Sequence, residues 1–124
     1  PPYGANIWEC AAGLVDNGES PQQAAKRECL EELGFDMPLE SFKKLGDYSF
    51  PAVGIMGERH YFYEVEVEPT KQQTPLLDGS PLEHEGIVLN VPVDGLHRMV
   101  MAGLIYDSKT EIAVTRFVRL LNNK

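Results

Sequence analysis

Residues 13–35 read GLVDNGESPQQAAKRECLEELGF, and Glu28, Glu31 and Glu32 crowd together around Cys29. Ser20 suits an N-cap, Pro21 suits the first helical position, and Gln23 completes a capping box. Gly34 suits the C-terminal stop, so the stretch predicts a helix over 21–33. On that helix Glu28, Glu31 and Glu32 fall at i, i+3 and i+4, which is one face, while Ala25, Cys29, Leu30 and Leu33 fall on the other side. Arg27 precedes Glu31 by four residues, borders the acidic face and can hold one carboxylate by paired hydrogen bonds. Like charges at helical spacing repel, so the face is either solvated or holds a compensating cation. Hard divalent cations take oxygen ligands, and these carboxylates beside a backbone carbonyl of the small-residue turn Ala11-Ala12-Gly13 would supply them.

The 124 residues are expected to form one domain, and 43% hydrophobic with 24% charged residues is a globular composition. A formal charge of -8 argues against nucleic acid or an anionic membrane as partner, so a phosphate-bearing ligand would need metal ions as intermediaries. No apolar run approaches the roughly 18 residues of a membrane span, and no charged-then-apolar signal peptide is read at the start. Cys10 and Cys29 form no CxxC pair and are expected to be two buried free thiols in a reducing compartment, which points to the cytoplasm. The chain opens at Pro1-Pro2 without a methionine, as a fragment of a longer protein would.

Outward from the acidic helix, residues 6–12 read as a strand closing at Gly13, 43–50 as a second, 59–67 as an alternating, half-buried third, and 86–91 as a fourth. Residues 68–85, rich in Pro, Gly, Gln and Ser, read as a mobile surface loop. Helices are expected over 93–102 and 110–121, the second with Ile112, Ala113, Phe117, Leu120 and Leu121 as its apolar set. The interleaving predicts an α/β sandwich of mixed sheet. His60, His84 and His97 are scattered, so none is assigned to metal. Trp8 and the aromatics of 61–63 read as packing rather than a base-stacking platform. Arg59 and Lys109 are cations able to meet phosphate, but packing or solvation is the favoured reading of both.

Gly13, Glu19 and the run Arg27-Glu28-Cys29-Leu30-Glu31-Glu32-Leu33-Gly34-Phe35 resemble the Nudix box, G-x5-E-x7-R-E-U-x-E-E-x-G-U, where U is a bulky aliphatic. Every glycine, arginine and glutamate position is filled; Cys29 departs from the pattern at an aliphatic position, where a small apolar residue still packs. The resemblance implies a Nudix-type α/β/α sandwich with mixed sheet over residues 1–124. It also implies hydrolysis of a nucleoside diphosphate linked to another moiety, with magnesium or manganese as cofactor. Glu28, Glu31, Glu32 and a backbone carbonyl near Ala12 are the implied metal ligands, and Gly13, Glu19 and Arg27 the implied support of the loop and helix.

Pro51, sixteen residues after Phe35, is similar in spacing to a proline of the ADP-ribose pyrophosphatase branch, although a loop proline at a strand end explains it equally. WECAAGLVD (8–16), LEHEGIVLNVPVDGL (82–96) and GLIYDSKTEIAVTRF (103–117) also resemble that branch. The branch implies ADP-ribose as substrate, cleaved to AMP and ribose 5-phosphate, and a homodimer whose N-terminal sheet exchanges between subunits. This chain starts where such a sheet would be ending: either a longer protein supplies it or this version does without it. Cys10-Ala11 where the branch has Leu-Pro leaves room for a UDP-sugar or another nucleoside diphosphate derivative. A non-catalytic nucleotide-sugar-binding module is the rival from another class. In the branch, acids before the fourth strand include the proposed general base, so Glu83 is the first candidate, Glu85 the second and Glu28 the fallback.

Overall fold

The computed structural model describes residues 10–55, 57–75 and 88–123. Two compact units make up the chain. One combines residues 1–10, 44–62 and 90–124, and the other combines 11–43 with 63–89.

In the second of these, α1 (Pro21–Glu28) starts as its sequence predicts. The Ser20 hydroxyl accepts from Gln23 N at 3.1 Å, and Gln23 Oε1 accepts from Ser20 N at 2.8 Å, closing the capping box. The helix then widens into one π turn, Cys29–Leu33, and stops at Gly34 with φ 80°, a left-handed conformation that glycine adopts without steric cost. Ala24, Cys29 and Phe42 are buried. Gln22 Nε2 donates to Leu39 O and Phe42 O, both at 3.0 Å, and so ties α1 to the 3₁₀ turn Leu39–Ser41. Residues 10–12 of the strand expected over 6–12 adopt no regular element, and 6–9 lie outside the described residues.

The other unit packs α2 (Val93–Met101) against α3 (Ser108–Asn122). Val100, Ile105 and Val114 are buried, with Leu96, Met99 and Val118 against them. Each such side chain, fully buried, stabilises by about 1.5–3 kcal/mol. The buried stripe of α3 runs through Thr110 and Val114, four residues apart. Leu120 and Leu121, expected in the apolar set, lie off that stripe and are 40% and 42% exposed.

β1 (Lys43–Lys44) and β2 (Tyr63–Glu64) form a two-stranded sheet, far shorter than the strands expected over 43–50 and 59–67. Within the first unit, Leu45 N donates to Phe62 O at 2.8 Å, and Ser49 and His60 exchange both bonds of an antiparallel bridge. Between these pairings Gly46 turns the chain at φ 71°. There the Arg116 guanidinium donates to Leu45 O and Asp47 O at 2.8 and 2.5 Å, satisfying carbonyls that a continuous ladder would have paired across strands. Residues 88–91 form no strand, while 86 and 87 lie outside the described residues. The described elements are thus helices with a small sheet, an α/β content. No described helix is long and apolar enough to cross a membrane.

Asp107 caps α3 through its side chain, which accepts from Thr110 N, Thr110 Oγ1 and Lys109 Nζ. Burial pushes the Asp107 carboxyl up, but the hydrogen bonds from Thr110 and Lys109 outweigh it and hold the group below its ordinary value. A depressed carboxylate stabilises fully above the unfolded-chain value of about 3.9, and that contribution is lost as pH falls through the folded value. Asp107→Ala is therefore expected to cost about 1 kcal/mol in denaturant melts at neutral pH, with the deficit shrinking below about pH 4. A deficit that grew on acidification would contradict this assignment.

Cys29 is a buried free thiol, raised by desolvation, so no bridge joins the two cysteines. Cys10, expected to be buried, is exposed. Its backbone N–H donates to the buried Thr110 Oγ1 at 2.9 Å.

Candidate active site

The acidic helix meets the turn before it through one guanidinium. Arg27 grips Glu19 bidentately, Nε to Oε2 at 2.9 Å and Nη2 to Oε1 at 3.0 Å, while Nη2 also donates to Leu14 O at 2.7 Å. Its Nη1 donates to Glu28 Oε1 at 2.6 Å and to Glu31 Oε2 at 3.3 Å. Glu19 in turn accepts from Asp16 N at 3.0 Å, which closes the loop that Gly18 turns at φ 79°. Sequence spacing gave Arg27 one carboxylate; it hydrogen-bonds three and lies 3.6 Å from a fourth, Asp16 Oδ2, because a guanidinium offers five donors and the loop folds back within reach.

The Arg27 bond holds the Glu19 carboxyl below its usual range. That same bond, against the pull of desolvation, keeps Arg27 still more firmly protonated. Glu28 is the opposite case: burial pushes its carboxyl up, and Arg27 offsets this only in part. Glu32 Oε2 accepts from Ala12 N at 2.9 Å, which ties the end of the helical run to the turn before it. Gly13 lies so close to Glu28 that an added Cβ would fall within the Glu28 carboxylate.

Ala12, Gly13, Glu19, Arg27, Glu28, Glu31 and Glu32 are therefore gathered in one unit. Pro51 belongs to the other unit, at an exposed bend. Glu83 and Glu85 lie outside the described residues. Sequence reasoning missed the Leu14 carbonyl, a backbone acceptor that no side-chain pattern marks. It also missed two partners at the far end of the helix: Gln72 Nε2 donates to Leu33 O at 2.8 Å and Gln73 N to Gly34 O at 2.7 Å.

Among the described residues no three His, Cys, Asp or Glu side chains converge closely enough to hold a metal ion, and Arg27 supplies the countercharge to Glu28 and Glu31. Glu28, at the end of α1, and Glu31 and Glu32, on the π turn, carry hard carboxylate oxygens of the kind a divalent cation takes. The burial that raises Glu28 marks a carboxylate whose ionised form a second cation would favour. In donor chemistry, the residues fit the group.

The NUDIX domain family model matches residues 1–103. Among curated proteins, the GDP-mannose pyrophosphatase of Yersinia pestis (strain Pestoides F) is 33% identical over 105 residues, covering 84% of this chain and 50% of that protein. The Yersinia enterocolitica protein of the same name is 31% identical over 105 residues, covering 84% and 51%. A putative 8-oxo-dGTP diphosphatase of Bacillus subtilis (strain 168) is 40% identical over 57 residues, covering 46% of this chain and 36% of that protein. The chain spans about half the length of the GDP-mannose pyrophosphatases it matches. No solved structure matches it. A family model covering most of the chain, together with a box whose glutamates and arginine are bonded into one helix and its preceding turn, establishes that the chain belongs to the NUDIX family.

Proposed function

We propose that this chain is a pyrophosphatase domain that hydrolyses the pyrophosphate bond of a nucleoside diphosphate sugar, with magnesium or manganese as cofactor. The observation that carries the proposal is the acidic turn itself: Glu28, Glu31 and Glu32 on one short segment, braced by Arg27 and Glu19. A module that only sensed nucleotide sugar would be expected to lose box glutamates, and here all are kept.

Glu28, Glu31, Glu32 and the carbonyl near Ala12 would hold divalent ions, which would supply Lewis acidity toward the phosphoryl oxygens and the attacking water. The remaining work falls to the chain. Glu19 and Leu14 O fix the guanidinium of Arg27, and Arg27 fixes Glu28 and Glu31 in turn, so the carboxylates are placed before substrate arrives. Water oxygen forms the new bond to phosphorus as the bridging P–O bond breaks, and the bridging oxygen leaves with the other phosphate. The water proton goes to a carboxylate not engaged as ligand, for which Glu83 is the first candidate and Glu85 the second.

For the sugar, Pro51 and its flanks favour ADP-ribose, giving AMP and ribose 5-phosphate, whereas the names of the Yersinia relatives favour GDP-mannose. The same proposal includes an α/β/α sandwich with mixed sheet, residues 1–124 as one domain, a homodimer and a cytoplasmic location. A panel of ADP-ribose, GDP-mannose, a UDP-sugar and nucleoside triphosphates, assayed with magnesium, tests the substrate class. One of the diphosphate sugars is expected to show the highest kcat/KM, and a triphosphate ranking first would overturn the class while leaving the family intact.

A further inference from the structure

The turn that carries Glu31 and Glu32 is held in an unfavourable state. It is a π turn, a rare conformation that persists where its surroundings hold it. Its acids lie near the C-terminal end of the helical run, where the macrodipole disfavours negative charge. Its final carbonyls need partners that an ending helix cannot provide. Gly34 N returns to the carbonyls of Cys29 and Leu30. The last carbonyl of the turn and the one after it are met from outside the helix, Leu33 O by the Gln72 side chain at 2.8 Å and Gly34 O by the Gln73 backbone at 2.7 Å. Both glutamines follow directly on the 3₁₀ turn Pro69–Lys71, in the same unit as the helix. The approach is close, since a Cβ at Gly34 would run into the Gln73 carbonyl.

We infer that Gln72 is a positioning residue for the cation-holding turn. Its amide fixes Leu33, the residue after Glu32, and thereby sets the register in which Glu31 and Glu32 are presented. The amide N–H also meets a carbonyl that would otherwise add its negative end to an acidic turn. This rests on the cation-holding role proposed above. Gln72 is itself exposed, so losing the bond leaves the buried set of Ala24, Cys29 and Phe42 in place.

Gln72→Ala removes donor and shape, while Gln72→Glu keeps the shape and sets a carboxylate against the Leu33 carbonyl. Titration with Mn²⁺ followed by electron paramagnetic resonance reads the turn without any assay of turnover, and thermal melts of the metal-free proteins read stability. Both variants are expected to bind Mn²⁺ about threefold to tenfold more weakly than wild type, the scale of one lost hydrogen bond, with Gln72→Glu the weaker binder and little change in melting temperature. Wild-type affinity in both variants, whatever their melting temperatures, would overturn the inference alone. A wild-type protein that bound no Mn²⁺ would remove the cation-holding reading, and this inference with it.

Discussion

In excess EDTA the chain is expected to lose its hydrolytic activity to background while keeping its helices. The acidic turn sets the terms: one guanidinium, Arg27, is shared among Glu19, Glu28, Glu31 and Asp16, and Glu32 adds a further carboxylate that accepts from Ala12 N. A substrate with a pyrophosphate bridge adds further negative charge, so approach is repelled unless a cation intervenes. The bonds that build α1 do not run through such an ion. They are the capping box at Ser20, the Gln22 amide on Leu39 and Phe42, and Lys26 on Asp36 and Met37. Rate measurements beside far-UV circular dichroism, before EDTA, after it and after magnesium is restored, separate the two effects. Glu32→Gln sharpens the comparison, because its amide oxygen can still accept from Ala12 N while the charge is gone. Full activity in excess chelator would falsify the mechanism.

What the sequence disclosed about this site was local. The capping box at Ser20, Pro21 and the Gly34 stop act on their immediate neighbours, so the bounds of the acidic helical run could be read from spacing. The π turn could not, since the same residues suit an ordinary α turn and the wider register is settled by what meets Leu33 and Gly34. Gln72 lies 39 residues from Leu33 in sequence, and its amide in an exposed segment carries no pattern that marks a cap. The same limit explains the strands. Residues 43–50 read as a strand and 59–67 alternate as one does, but Gly46 turns and Arg116 takes the carbonyls on either side of it from helix α3. Tertiary partners thus override a local propensity that was real.

Gly13→Ala is expected to lower kcat by about 100-fold, although it adds a single methyl group. Gly13 is the first residue of the box, and its need for glycine is steric, since its backbone lies outside the positive-φ set of Gly18, Gly34, Gly46, Gly54 and Gly103. The added Cβ would occupy the place of the Glu28 carboxylate. That carboxylate is half-buried, bonded to Arg27 at 2.6 Å and already raised by desolvation, so it has little freedom to retreat without losing the guanidinium. Moving Glu28 disturbs Arg27, and Arg27 carries Glu19, Glu31 and Leu14 O as well. One methyl therefore displaces a candidate ligand and loosens the brace behind the others, and a misplacement of about 1 Å in such a site is enough for a 100-fold loss. Gly57→Ala is the control, because a Cβ there meets nothing within 4 Å and φ is not positive. It should match wild type in rate and Mn²⁺ affinity, whereas Gly13→Ala should lose both. Equal rates for the two variants would show that Glu28 does not need the space that Gly13 leaves open, and would take Glu28 out of the reacting centre.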